Sequence, residues 1–391
     1  MHDIVPPAAA RRRSRRSLLH WIHLCIGGLL SVPLFVLGLT GAVLVFEHEL
    51  DDWLDPPPHA AAAGPARPAD DILAAARTAA PRGASPVFFI PAAAGGAAEV
   101  RFRAPAAGMV RVFVDPASLA VLAARPSDRG FVRQIAQLHS NLLTRDRGGR
   151  QAVGWLGVAM LALGASGLVL WWPRGGGWRA AFRLERRARG AALLRELHRT
   201  AGFWGLAVLM VVSFSGVFLA FPQTVGDVIR AVLPGRDVRS FAGPPATPLP
   251  GAQPLGLEPA IALARAAAPD AELRSVGLPQ RPDQPLRVSL APPGTASGPV
   301  PQVTVFVDPW ARRIVERRDP QTYTAGETVV AWQRALHAGE GLGGLWRALV
   351  FVTGLLPMFF TVTGVAMWAL KRRRRRPSAA TARPSFEAVG K

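Results

Sequence analysis

Four stretches of the chain are free of charged residues over lengths that constrain the fold more than anything else in it: Leu24 to Phe46, Ala152 to Trp172, Ala201 to Phe221 and Ala348 to Leu370. Each reaches or exceeds the ~20 residues needed to cross the hydrocarbon core of a bilayer, so the sequence predicts four transmembrane helices. The first follows the basic run Arg11 to Arg16 and could pass for a signal peptide, but its apolar segment is far longer than an h-region and is expected to stay as an anchor. Composition agrees: half of the residues are apolar and 18% are charged, below the ~25% usual for soluble domains.

The net charge is nevertheless +20. Its distribution reads as topology rather than as a nucleic-acid surface. Residues 1–17, 173–199 and 371–391 hold 5, 8 and 8 Lys or Arg against four acids, which by the positive-inside rule makes them cytoplasmic. Residues 47–151 and 222–344 each carry 12 Arg and 11 acids, as exported domains can. The expected plan is a basic tail (1–17), helix 18–46, exported domain 47–151, helix 152–172, basic loop 173–200, helix 201–221, exported domain 222–347, helix 348–370 and basic tail 371–391.

That plan is one unit used twice. Leu18-Leu19 with His23 opens the first half and Leu193-Leu194 with His198 the second. In the exported domains, Ile72 to Pro81 matches Ala260 to Pro269, each one amphipathic helix stopped by its proline. Alternating runs follow, at Val87 to Ile90, Glu99 to Arg103 and Val110 to Val114 in one domain and Leu286 to Leu290 and Val303 to Val307 in the other. Both domains then reach the tetrapeptide Phe-Val-Asp-Pro, at 113–116 and 306–309, where Asp-Pro starts a turn. Each domain is thus expected to be a helix on a small antiparallel sheet. The Pro-rich stretches 56–68 and 244–259 are linkers beside the membrane.

A single cysteine, Cys25, excludes disulfides, c-type haem attachment and Cys-ligated zinc or iron-sulfur sites, leaving histidine as the metal ligand. There are eight: His2, His20, His23, His48, His59, His139, His198 and His337. His23 and His198 sit at the cytoplasmic mouths of the first and third spans. His139 and His337 close Gln-Ile-Ala-Gln-Leu-His and Trp-Gln-Arg-Ala-Leu-His on the exported side. A pseudo-two-fold axis along the membrane normal would set His23 opposite His198 and His139 opposite His337, two bis-histidine sites suited to b-type haem. A histidine at a membrane interface is also simply an amphipathic side chain near the headgroups. What argues for ligands is that four fall on equivalent positions; His20 and His48 align with Arg195 and Gln223 and are unmatched, His48 being the spare ligand.

Gly41 and Gly216 each lie 18 residues after a matched histidine, preceded by Thr40 and Ser215, and Ser166-Gly167 and Thr363-Gly364 recur late in the other spans. Such residues let helices approach closely, or leave room for a porphyrin edge. Pro33 and Pro357 are candidate kinks. No charge lies inside a span, which counts against an ion-coupled permease. Gly339 to Gly344 fits G-x-G-x-x-G but follows a helix rather than a strand, and is expected to be a loop leading into the membrane.

Leu138-His-Ser-Asn-Leu-Leu143, continuing through Gly148-Gly149-Arg150 to Ser166-Gly-Leu-Val-Leu-Trp-Trp-Pro-Arg174, resembles the PepSY-associated transmembrane proteins. So do Leu336-His-Ala-Gly339 with Thr363-Gly-Val-Ala-Met-Trp368, and Arg195-Glu-Leu-His-Arg199 with Gly202 and Trp204. The resemblance implies a four-helix membrane α-helical bundle in two parallel repeats with two periplasmic α+β PepSY-like domains, in a bacterial inner membrane with both termini cytoplasmic. Relatives similar to ferric-siderophore reductases bind two b-type haems through membrane-proximal histidines, at positions matching His23, His139, His198 and His337, and reduce iron on the periplasmic side. The expected partners are a ferric siderophore or other ferric chelate, a separate cytoplasmic or membrane electron donor and the bilayer, with no nucleic acid. Trp332, Trp346 and Arg334 are candidate docking residues for the chelate, or interfacial anchors. A PepSY regulator that binds a periplasmic peptidase or sensor is the competing, non-enzymatic reading.

Overall fold

The computed structural model describes residues 15–374 apart from 63, 128–129, 145, 174–176, 179–181, 183–187, 238–242 and 294–299. The N-terminal tail to residue 14 and the C-terminal tail from 375 lie outside the described residues, as does most of the central basic loop.

The first apolar stretch forms two helices, α1 (Arg15–Leu29) and α2 (Ser31–Leu44), bent by 65° at the break between them. Pro33 explains the break: it has no N–H to give the carbonyl four residues back, and its ring crowds that carbonyl. Gly27 and Gly28 just before it offer little resistance. The sequence expectation of one helix over this stretch is therefore corrected to a bent pair. Helices α6 (Arg147–Trp171), α7 (Ala191–Ala220) and α11 (Gly343–Arg374) are each long and apolar enough to cross a membrane, and the bent pair makes a fourth crossing if taken as one span. At most 22% of their apolar windows is buried in protein, so lipid must cover the rest. Pro357 lies inside α11, and beside it α2 and α11 approach closely: a Cβ on Gly38 would stand 2.6 Å from the Gly354 carbonyl.

Between the spans the first half forms α3 (Glu47–Leu54), α4 (Ala69–Thr78), strands β1 (Ser85–Ile90), β2 (Ala98–Ala104), β3 (Gly108–Val114) and β4 (Val121–Pro126), and α5 (Phe131–Asn141). The second half repeats the order with α8 (Pro222–Val232), α9 (Leu257–Ala267), β5 (Glu272–Gly277), β6 (Leu286–Ala291), β7 (Val303–Asp308), β8 (Arg313–Arg318) and α10 (Ala325–Ala338). The expected pair of small sheets is one. All eight strands form a single antiparallel sheet in the order β4-β3-β2-β1-β5-β6-β7-β8, joined where Phe88 faces Gly277 and Phe89 faces Val276. One core runs through both halves, with Ile72, Val100 and Val112 from the first and Ile261, Val288 and Val305 from the second.

The helices on this sheet exchange caps. Asp70 of α4 accepts the backbone N–H groups of Leu257 and Glu258 at 2.7 and 3.0 Å, and Glu258 of α9 accepts that of Ala69 at 2.8 Å. Each helix N-terminus, with its unpaired donors and positive dipole end, is thus satisfied by a carboxylate from the other half. Gly256 admits the crossing, since a Cβ there would stand 2.8 Å from Asp70 Oδ2. The twin tetrapeptides also have a physical meaning. Asp115 accepts N–H groups from Ala117 and Ser118 to close its turn and from Ala61 and Ala62 to hold the incoming linker, while Asp308 accepts from Trp310, Ala311 and Thr247.

Candidate functional site

Four histidines, two on each side of the helical layer, occupy matched settings. His139 near the end of α5 is turned against α2, where its Nδ1 lies 3.0 Å from Thr40 Oγ1 and 3.1 Å from the Leu37 carbonyl. His337 near the end of α10 is turned against α7, with Nδ1 3.1 Å from Ser215 Oγ and 2.9 Å from the Val212 carbonyl. On the side away from the sheet, His23 of α1 meets Ser166 Oγ of α6 at 2.8 Å, and His198 of α7 meets Thr363 Oγ1 of α11 at 3.0 Å.

The hydroxyls decide which ring nitrogen carries the proton. Each donates to a carbonyl of its own helix: Thr40 to Val36, Ser215 to Val212, Ser166 to Leu163 and Thr363 to Phe359. With its proton so committed, the hydroxyl oxygen accepts from Nδ1–H of the imidazole, and Nε2 is left with its lone pair presented. Metal-ligating histidines are oriented in this way, the outer nitrogen donating to a fixed acceptor. Glycine completes three of the four holders. A Cβ on Gly41 would stand 3.0 Å from His139 Cε1, one on Gly216 the same distance from His337 Cε1, and one on Gly167 3.5 Å from His23 Cε1. The glycine of three of the four Thr-Gly or Ser-Gly pairs therefore makes room for an imidazole, while Gly38 and Gly354, and Gly157 and Gly164 of α6, are among those that bring helices together. Gly364 has open space around it and departs from the pattern.

His139 and His337 face one another with ring centroids 6.0 Å apart. A metal takes a histidine nitrogen at about 2 Å, so two imidazoles on one axis have centres ~6 Å apart, and the pair fits a single bis-histidine iron. Desolvation, then the neighbouring His337, pushes His139 down to about 4, and desolvation also lowers His337, so burial favours the neutral, lone-pair-bearing form of both rings. His23 and His198 lie close enough to interact electrostatically. Among the described residues no three His, Cys, Asp or Glu side chains gather as a metal cluster.

Helix ends around the pairs are tied by arginine. Arg347 of α11 donates to the Val45 carbonyl at the end of α2 and lies 4.9 Å from the Phe46 ring, and Arg150 of α6 donates to the Leu219 carbonyl near the end of α7. Each cation meets the negative end of a helix contributed by the other half. Gly149 is required beside Arg150, because a side chain there would collide with the Asn141 carbonyl and Thr144, where the chain folds back from α5 into α6.

The remaining residues singled out in the sequence lie elsewhere. His48 Nε2 is 3.7 Å from Glu340, His59 pairs with Gly96 as an isolated bridge, and His2 lies outside the described residues. Gly339 is the left-handed C-cap of α10 at φ 79°, with its N–H to the Ala335 and Leu336 carbonyls, which makes the G-x-G-x-x-G segment the turn into α11. Trp346 Nε1 donates to the Leu336 carbonyl, Trp332 packs over Gly341, and Arg334 is exposed. The Ser and Thr partners were visible in the sequence only as neighbours of glycine; their position 17 residues after a matched histidine, Thr40 after His23 and Ser215 after His198, is the signal that marks them.

Compared with known proteins, the chain matches the family described as the PepSY-associated TM region over residues 20–371. No curated protein matches it.

Proposed function

The chain belongs to the PepSY-associated transmembrane family, and from that premise we propose that it is a dihaem b-type cytochrome of a bacterial inner membrane that passes electrons outward to reduce ferric siderophores or other ferric chelates. The observation that carries the reading is the facing pair His139 and His337, 6.0 Å between ring centres, each with Nδ1–H committed to a hydroxyl and a carbonyl. His139 and His337 would hold one haem on the sheet side, and His23 and His198 the other.

A bound b-type haem supplies reversible one-electron transfer between ferric and ferrous iron. The protein's part is to hold and orient. Thr40, Ser215, Ser166 and Thr363 fix the tautomer and aim each Nε2, Gly41, Gly216 and Gly167 leave room for three of the rings against the helices, and the apolar spans exclude water from the layer between the pairs. An apolar layer ~30 Å thick is too wide for one direct step, and haems held by the two pairs on its opposite sides would divide it for electrons that enter from the far face. Giving one electron to a ferric chelate converts hard Fe(III) into softer Fe(II), which an oxygen-rich chelator holds less tightly, so the metal is released with the chelator intact. The basic segments 1–17, 173–199 and 371–391 support, by the positive-inside rule, a topology with both termini in the cytoplasm and the eight-stranded sheet outside.

The test is spectroscopic and then kinetic. The purified protein should give a low-spin b-type difference spectrum, dithionite-reduced against oxidised, with about two haems per chain. His139→Ala or His337→Ala should each remove the sheet-side haem, and His23→Ala or His198→Ala the other. Anaerobically reduced protein should then be reoxidised by a ferric siderophore while a ferrous chelator traps the product. Protein without haem sinks the proposal and favours the regulator; haem with no siderophore-dependent reoxidation sinks the substrate.

A further inference from the structure

On the sheet side of the helical layer, α6 and α7 leave a cleft of about 830 Å³ that α10 covers at one end. Ala162 and Ala165 of α6, Met210 and Phe214 of α7 and Leu336 of α10 line it, together with one polar residue, Gln333. Val158, Val211 and Phe214 at its mouth are 36–38% exposed on helices whose outer faces need lipid, so the cleft opens into the bilayer and not into water.

Gln333 is 4% exposed. Its Nε2 donates to the Val329 carbonyl at 2.7 Å, which fixes the amide's orientation and turns Oε1 the other way. That oxygen is buried and has no hydrogen-bond partner among the described residues. A buried acceptor left unpaired is costly, by ~1–3 kcal/mol, and marks a place where a donor belongs. Water fits badly, since an ordered water wants 2–4 polar partners and the lining offers one. Phospholipid headgroups fit no better: no lining residue carries a cation for phosphate or an acid for an ammonium. The occupant that matches has an apolar body, a ring to set against Phe214 and the soft sulfur of Met210, and a single hydroxyl at its deep end.

We propose that this cleft docks a membrane hydroquinone, with one phenolic O–H donated to Gln333 Oε1. The cleft and its acceptor stand without the cytochrome reading, but the choice of a hydroquinone among hydroxyl-bearing lipids rests on it, because a redox carrier in a bilayer needs a reduced partner that dissolves there. The site lies one residue from His337, at Leu336, so the docked ring is held beside the sheet-side pair.

The test is a binding titration on the full-length protein in lipid nanodiscs, prepared with and without haem. The probes are a hydroquinone bearing a ten-carbon tail and its dimethyl ether, which keeps ring and tail but has no O–H. The native protein should bind the hydroquinone about tenfold more tightly than the ether, the size of one net hydrogen bond to a buried acceptor. Gln333→Leu should erase that difference by weakening the hydroquinone alone, and Ala162→Phe, which fills the cleft, should weaken both. Equal binding of the two probes to the native protein, or undiminished hydroquinone binding by Gln333→Leu, overturns the site. Displacement of the hydroquinone by an equimolar monoacylglycerol overturns the choice of occupant. Protein that carries no haem yet discriminates the probes supports the cleft and refutes the cytochrome; protein with two haems and no discrimination does the reverse.

Discussion

Replacing Ser166 with alanine tests the role given to the hydroxyls, because the four holders are not equally redundant. His139 and His337 each have two acceptors for Nδ1–H, a hydroxyl and a carbonyl, whereas His23 has Ser166 Oγ as its one partner among the described residues. In Ser166→Ala the half-buried N–H is orphaned, a cost of up to ~1–3 kcal/mol, equivalent to a loss of up to about 5- to 150-fold in affinity for whatever the ring ligates. In Thr40→Val the Leu37 carbonyl at 3.1 Å still accepts, and the loss is one neutral hydrogen bond, ~0.5–1 kcal/mol or about 2- to 5-fold. Helix stability is not at issue, since neither hydroxyl replaces a backbone bond. The assay is haem titration of solubilised apoprotein, followed at the Soret band against a haem-scavenging competitor, with circular dichroism to show that the helices are intact. Ser166→Ala should lose its site's haem at least several-fold more readily than Thr40→Val loses the other. Equal losses, or native affinity in Ser166→Ala, would refute the claim that hydroxyl acceptors orient these rings.

Three further outcomes are expected. Asp70→Ala removes the cap of α9 from the opposite half and should cost about 1 kcal/mol, seen as a lower unfolding temperature of the sheet domain; an unchanged temperature would mean that the exchanged caps carry no stability. Glu327, bonded by Arg236 as well as capping α10, is held down to about 2, so its contribution is full above the ordinary carboxylate range near ~4.3 and is lost as pH falls toward 2. Glu327→Gln should flatten the acid side of the stability profile in that window, and a profile matching the native one would sink the assignment. Reporter fusions after Ala93 and after Gln284 should read as exported and one after Gly176, a position outside the described residues, as cytoplasmic; the opposite signal from either sheet half would invert the proposed topology.

What could be read in advance followed the range of the interaction. The spans, the amphipathic helices α4 and α9 and the well-alternating strands β1, β2, β3, β6 and β7 are local patterns and were legible. β4 and β8 were missed because they are outer strands with mostly exposed or partly exposed residues and no clean alternation. β5 was missed because the register shift between Leu273 and Ser275 breaks its period of two. Nothing local announces that β1 and β5 pair, so the merging of two expected sheets into one was beyond pattern reading. The four histidines could be picked out as candidates through the repeat, and so could the approach of His139 to His337. The partner of each Nδ1 was not, because it depends on which helix a ring is turned against. The break at Leu30 shows the same limit: Pro33 marked a kink, while an angle of 65° depends on α1 packing against α6 and α2 against α11.

The exchange of caps between Asp70 and Glu258 makes the two halves resemble a homodimer whose subunits happen to share one polypeptide. A half expressed alone would keep its fold plan but lose both ends of the bargain: a bare helix N-terminus, and an unpaired strand edge along β1 or β5 ready to zip onto a second copy. Covalent linkage removes that hazard by supplying the matching edge at high local concentration. The duplication therefore serves solubility during folding as much as it serves symmetry, and a chain cut in the central basic loop should depend on co-production of both fragments to stay out of aggregates.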